Sequence, residues 1–216
     1  MKKIVIMGTG GFSAEAIWAL EEMNKLSPLS DQWNILGYVD DDKSKKGKFS
    51  YNYQILGTPG EVDEIYSGNQ LWYFCAIGNN RIRSNIVKCL DELSWKAATL
   101  IHPSAVMAKN IEIGEGSYIG PVSVICPNAI IGEHVLINTR AAIGHDVIME
   151  NFSQACPGAQ INGFCKIGHS SFIGSNASIM PGTKIGEKAT VGGNSQVLRA
   201  VKSGTTVNGV PAIKVS

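Results

Sequence analysis

Four histidines supply the side chains of this 216-residue chain whose charge changes near neutral pH: His102, His134, His145 and His169. His145 differs from the others because Asp146 follows it, within Ile143-Gly144-His145-Asp146-Val147. A carboxylate beside an imidazole favours one ring tautomer and stabilises the cation formed when the ring takes a proton, which is the requirement for a general base. On its own the pair reads equally well as a solvated surface couple. His102 precedes Pro103 and reads as structural, while His134 and His169 read as exposed and unemployed. The cysteines (Cys75, Cys89, Cys126, Cys156, Cys165) contain no CxxC pair and read as buried or ordinary thiols of a reducing compartment.

A second chemistry is written near the start. Gly8-Thr9-Gly10-Gly11 follows an apolar run, Lys3–Met7, and precedes a helical pattern over Ser13–Leu26. Glycines in such a turn let the backbone approach an anion, and the helix start offers free N–H groups. The dinucleotide fingerprint would want a third glycine where Ser13 stands, so the turn alone is equally a tight strand-to-helix connection with no ligand. Asp40 closes a second strand, Ile35–Val39, at the place where an acid commonly meets ribose hydroxyls. Asp40 and Asp41 are taken as ligands; Asp42 and the lysines at 43, 45, 46 and 48 are taken as a solvated charged loop. Further strand and helix patterns follow at Leu71–Ile77 and Arg81–Leu93, so residues 1–99 read as a small parallel α/β domain of the nucleotide-binding type.

Residues 100–216 obey another rule. From Ile101 to Val197 an aliphatic residue returns every sixth position, in sixteen steps without an insertion; Met107, Met149 and Ala155 are its weak members. Neither a helix period of 3.6 nor a strand period of 2 holds that register. Six-residue periods belong to parallel β-helices, in which each short strand makes one side of a coil. The aliphatic residues should point inward and stack coil on coil. The small residues four places on (Ser117, Ser123, Ala129, Ala141, Ser153, Ala159) fit where space is short, and glycine directly after the aliphatic residue suits a corner of unusual φ/ψ. With three hexads to a coil, residues eighteen apart stack, and Gly163 above His145 is expected to leave open space for a substrate.

The hexads resemble those of the hexapeptide-repeat acyltransferases, and GTGGF, LGYVDDD, FCAIGNNRIRSNI and LIHPSA resemble the amino-terminal domain of the PglD/NeuD group of bacterial sugar acetyltransferases. AIGNNRIR (Ala76–Arg83) is the most specific of these segments. The resemblance spans the chain and implies a Rossmann-like domain followed by a left-handed β-helix. It implies an N-acetyltransferase that takes acetyl-CoA and a nucleotide-linked 4-amino-6-deoxy sugar for surface glycan synthesis, with O-acetylation of a sialic-acid-like sugar as the alternative. It makes His145 the general base, supported by Asp146. It places Gly10, Gly11, Phe12, Asp40, Asp41 and Gly78 at the nucleotide sugar and Gln154, Ser175 and Gly193 at acetyl-CoA. Phe12 and Gln154 stand where the family often has histidine. The stretch Asn208–Ala212 resembles the family's segment beside the CoA tail, where Arg199, Lys202 and Lys214 could meet phosphates or simply be solvated surface.

Composition is compatible with these expectations. A net charge of +1 provides no basic field for nucleic acid. No apolar run approaches a membrane span, and the apolar part of MKKIVIMGTGG is too short for a signal peptide, so a cytoplasmic location is expected. A flat-sided shaft with a donor site between neighbours implies a homotrimer. Two other readings compete. A zinc enzyme of the γ-carbonic-anhydrase type would need three closely placed ligands, and the spacing of His134, His145 and His169 does not match that arrangement. A non-catalytic binding module on the same fold is the other.

Overall fold

The computed structural model describes residues 1–215, and it divides into two compact units, the first Met1–Pro103 and the second beginning at Ser104.

The first unit is a six-stranded sheet with helices between its strands. Its strands are β1 (Lys2–Met7), β2 (Trp33–Val39), β3 (Phe49–Ser50), β4 (Tyr53–Gly57), β5 (Leu71–Cys75) and β6 (Lys96–Ala97). They lie in the order β3-β4-β2-β1-β5-β6, parallel except for the β3–β4 hairpin. The apolar run Ile4–Met7 is buried on both faces, as a central parallel strand requires. Helix α1 (Gly11–Leu26) buries Ala16, Ile17, Ala19 and Leu20. Helix α3 (Asn80–Asp91) starts where the Asn79 carbonyl oxygen Oδ1 accepts the Ile82 N–H at 3.0 Å. Sequence reading did not find β4 or the short helix α2 (Pro59–Ile65). Their signal was present: Thr58 and Glu61 form a capping box with proline at the first turn.

The second unit is a left-handed parallel β-helix. Two-residue strands recur every six positions and stack in three faces. On the first face Tyr118, Leu136, Gln154, Phe172 and Thr190 stand one above another. The second carries Val106, Val124, Ala142, Gln160, Ser178 and Gln196, and the third Glu112, Ile130, Ile148, Lys166 and Lys184. The next residue of each strand is the aliphatic one, and Ile119, Ile137, Ile143, Ile167, Ile173 and Ile179 are completely buried. Each fully buried isoleucine contributes about 1.5–3 kcal/mol, so the column of stacked rungs holds the shaft together. Ser117, Ser123, Ala141, Ala159, Ser171 and Ala177 are equally buried, which fits their reading as residues of confined positions.

The corners require a correction. The left-handed backbone was expected at the glycine after each aliphatic residue, but it falls two positions later, at Val122 (φ 57°), Asn128 (φ 62°), Arg140 (φ 58°), Asp146 (φ 57°) and Phe164 (φ 61°). The early glycines answer to crowding instead. A Cβ on Gly144 would sit 2.6 Å from the Gly163 nitrogen in the next coil.

Candidate active site

In the first unit the ends of β1, β2 and β5 surround a cavity of about 440 Å³ lined by Gly8–Phe12, Asp40, Lys45 and Ala76–Gly78. It lies beyond the carboxyl ends of parallel strands where their order reverses, the place such sheets keep for ligands. Gly8 has φ +99° and a left-handed backbone that a side chain would strain. At Gly10, Gly11 and Gly78 a Cβ would project into open space, so the bare backbone there leaves room in the cavity. No side chain caps α1 at Gly10, where the Ser13 N–H bonds the Gly10 carbonyl at 3.0 Å, and the positive end of the helix dipole faces the cavity. The Phe12 ring packs edge-on against Phe74, with centroids 6.0 Å apart.

Asp40 is tied into this wall. Its Oδ2 accepts from Thr9 Oγ1 at 2.7 Å and Lys45 Nζ at 2.8 Å, and its Oδ1 accepts the Asp42 N–H at 3.0 Å. Partial burial alone would raise its pKa, but these bonds outweigh burial and hold the carboxyl below its ordinary range. Lys45, expected to be a solvated lysine, instead bonds Asp40 and Thr9 across the cavity mouth. Asp41 is exposed and stands off the cavity wall, and Asp42 caps the turn at Ser44. Beneath the β5–α3 turn, Arg83 is fully buried. Its Nη1 donates to the Ile77 carbonyl at 2.8 Å and its Nη2 to Asn80 Oδ1 at 3.0 Å. Burial pushes its pKa down to about 10. Sequence reading singled out AIGNNRIR but missed that its arginine is an internal anchor for the cavity's edge.

In the second unit His145 stands at the corner that follows the second face. Its Nδ1 lies 2.8 Å from Asp146 Oδ2, and Asp146 Oδ1 accepts from Asn128 at 3.0 Å. The bonds from His145 and then Asn128 hold the Asp146 carboxyl below its usual range. The space expected above His145 is taken by the imidazole itself. A Cβ on Gly163 would meet Cε1 and Nε2 at 2.6 Å, so the glycine lets the ring lie against the next coil. Phe164 borders the ring edge-on at 4.8 Å. The His145 side chain remains about half exposed.

Gln154 lies on the first face and is buried, its Oε1 without a hydrogen-bond partner and its Nε2 3.7 Å from Cys156 Sγ. Ser175 and Gly193 stack at the corner between the first and second faces, and both are exposed. One copy of the shaft therefore does not bring them to His145: a face of six residues at about 3.3 Å each separates the two corners by up to about 20 Å. His134 and His169 occupy the remaining corner around Phe152. His134, expected to be exposed, is buried on that ring. His102 is buried against Trp18, and burial lowers its pKa.

Residues 3–90 match the PglD N-terminal domain, and residues 164–199 match the bacterial transferase hexapeptide family. A GDP-perosamine N-acetyltransferase of Escherichia coli is 30% identical over 177 residues, covering 82% of this chain and 77% of that one. The chain belongs to the hexapeptide-repeat sugar N-acetyltransferases. Two solved members of this family share its architecture. PerB of Caulobacter crescentus, in complex with CoA and GDP-perosamine, has 25% identity and a TM-score of 0.90, covering 100% of this chain and 98% of that one. The acetyltransferase domain of PglB from Neisseria gonorrhoeae, in complex with acetyl coenzyme A, has 27% identity and a TM-score of 0.83 over 99% of both chains. No helix among the described residues is long and apolar enough to cross a membrane.

Proposed function

We propose that this protein transfers the acetyl group of acetyl-CoA to the amine of a nucleotide-linked 4-amino-6-deoxy sugar, with His145 as the general base. The observation that carries this reading is the His145–Asp146 pair at 2.8 Å, its exposed imidazole seated against Gly163, in a member of this family. Asp146 accepts the Nδ1 proton and fixes the tautomer with a basic Nε2. The sugar nitrogen attacks the thioester carbonyl, a C–N bond forms, and Nε2 removes the proton that the nitrogen must shed. The C–S bond then breaks, and the imidazolium returns that proton to the departing CoA thiolate. Asp146, kept ionised, stabilises the imidazolium between these steps.

The cavity of the first unit is assigned to the nucleotide. The uncapped amino end of α1 and the open floor at Gly10, Gly11 and Gly78 suit a diphosphate, Asp40 suits ribose hydroxyls, and Phe12 forms an apolar wall. Lys45 adds a cation to the same cavity, a role that sequence reading did not give it. Acetyl-CoA is assigned to Gln154, Ser175 and Gly193. A groove of about 520 Å³ at the carboxyl end of the shaft carries Arg199, Lys202 and Lys214 beside Val197, Pro211 and Ile213, a lining suited to phosphates on an apolar tail. Because Ser175 and Gly193 occupy a different corner from His145, a complete site is assigned to two neighbouring copies, and the assembly to a cyclic trimer as in the family it resembles.

The test is an assay of thiol release with nucleotide-linked 4-amino sugars against free acidic sugars, with the product mass confirming N-acetylation. Release only with the free acidic sugars, or with none, would overturn the assignment. Light scattering should show a trimer; an active monomer would remove the shared site.

A further inference from the structure

Three corner residues eighteen positions apart form a ladder that ends on the proposed catalytic pair. Asn110 donates its side-chain amide to Asn128 Oδ1, Asn128 Nδ2 donates to Asp146 Oδ1 at 3.0 Å, and Asp146 Oδ2 meets His145 Nδ1 at 2.8 Å. The direction of these bonds is dictated from the catalytic end. An ionised Asp146 only accepts, so Asn128 must turn its NH₂ group toward it; the Asn128 carbonyl then faces Asn110, which must in turn present its own NH₂. Both oxygens of Asp146 are thereby engaged, one by the imidazole and one by the amide. A carboxylate with only one bond could swivel about its side chain and drift from Nδ1. With the second oxygen anchored to the preceding coil, Oδ2 stays on Nδ1, and the tautomer with a free Nε2 is the one maintained.

We propose that Asn128 is a positioning residue for the His145–Asp146 pair, acting through the second oxygen of Asp146. The inference rests on His145 being the base. Asn128 itself is exposed at its corner and reaches no reacting atom. Its backbone φ of +62° belongs to a slot that glycine fills at Gly116, Gly158 and Gly182, so Asn128→Gly removes the amide without straining the turn. Asn128→Asp keeps the size but places a second carboxylate against Asp146 Oδ1.

The experiment compares Asn128→Gly, Asn128→Asp, His145→Ala and the double variant Asn128→Gly/His145→Ala in the full-length protein. For each, kcat and both KM values are measured by thiol release with the nucleotide-linked amino sugar, and the His145 nitrogens are followed by ¹⁵N NMR. Asn128→Gly should lower kcat about 3- to 10-fold with both KM values within about twofold, and should shift the ring nitrogens away from a single Nδ1–H tautomer. Asn128→Asp should lower kcat at least as far. In the His145→Ala background Asn128→Gly should add nothing. Normal kcat and unchanged ring nitrogens in Asn128→Gly, beside a crippled His145→Ala, would overturn the positioning role and leave the base intact. A His145→Ala enzyme of near-normal turnover would remove the base and the positioning role with it.

Discussion

Two corners of the same shaft carry histidines and treat them in opposite ways. At the corner leading into the first face, His134 is 6% exposed and lies flat on Phe152, with ring centroids 5.0 Å apart and planes inclined by 12°; His169 meets the other side of that phenylalanine at 5.7 Å. At the corner leading out of the second face, His145 is exposed and holds Asp146. The two rings occupy different slots of the hexad: His134 itself has the left-handed backbone (φ 53°), whereas at the other corner Asp146 takes that slot (φ 57°) and His145 precedes it. The residue eighteen positions later adds to the difference. Phe152 stacks above His134 and turns its ring into packing, whereas Gly163 above His145 has no side chain and leaves room for an imidazole that stays about half exposed. In a β-helix the neighbour one coil away shapes a side chain's surroundings alongside its slot in the hexad and its neighbour in sequence.

The comparison breaks most visibly by removing each ring. His145→Ala should reduce kcat by roughly 10²–10⁴ with both substrates still bound and the fold intact. His134→Ala should do the reverse, costing about 1–3 kcal/mol of stability through the lost aromatic stack and buried volume while kcat stays within about twofold. Denaturant titration beside steady-state kinetics separates the two. A folded His145→Ala protein with near-normal turnover would show that its corner is no more functional than the other.

The glycines on either side of His145 sharpen the same contrast. A methyl on Gly163 would lie 2.6 Å from Cε1 and Nε2, the mobile end of an exposed ring, so Gly163→Ala should push the imidazole aside. Misplacement of a catalytic group by about 1 Å can cost up to about 10²-fold, and a loss of about 10-fold or more in kcat is expected with an unchanged melting temperature. A methyl on Gly144 would meet backbone, at the Gly163 nitrogen, which cannot swing away. Gly144→Ala should therefore cost about 1–3 kcal/mol of stability. Equal melting temperatures for both variants would contradict this reading.

These outcomes bear on what the sequence could disclose. The hexad register from Ile101 to Val197 was legible because one requirement, an inward aliphatic residue per strand, repeats along the shaft and tolerates Met107, Met149 and Ala155. The burial of His134 was not legible, because the residues against it, Gly116 and Phe152, lie in the neighbouring coils and nothing beside His134 in sequence announces them. The position of the left-handed corner was misplaced for a related reason: glycine signals either positive φ or close approach, and the letter does not say which. In the first unit β1, α1, β2, β5 and α3 followed from apolar runs and turn residues. Strand β4 is short and carries only Ile55 and Leu56 as aliphatic residues, so its membership of the sheet depends on pairing with β2. Lys45 was grouped with its charged neighbours because only the folded turn carries its amine to Asp40.

The first unit supplies the next test. Asp40→Ala should weaken binding of the nucleotide sugar by about 1–3 kcal/mol, through the lost charge-assisted bonds, and leave acetyl-CoA affinity unchanged. Calorimetry with each ligand separately reads both effects. Equal loss for the two ligands would mean that removing the partner of Thr9 and Lys45 had damaged the fold instead.

The smallest effect concerns two carboxylates that share an electrostatic signature and differ in use. Asp146 is held below its ordinary range by His145 and Asn128, and Glu61 is held down to about 2 by the Thr58 N–H and then by Lys46 Nζ, each at 2.9 Å. Glu61 begins α2 and pairs with Lys46. Its folded pKa lies below the ordinary 4.5, so the stabilisation it provides is complete above that value and disappears as pH falls from about 4.5 toward 2. Glu61→Gln should flatten the dependence of stability on pH in that window and leave kcat at neutral pH unchanged. Carboxyl ¹³C titration should find the Glu61 signal moving near pH 2. A midpoint near 4.5 would mean that the capping box does not hold in solution. A fall in kcat would mean that the start of α2 is coupled to the site. With both excluded, a depressed carboxylate in this fold marks whatever donates hydrogen bonds to it, and the shift alone does not distinguish Asp146 from Glu61.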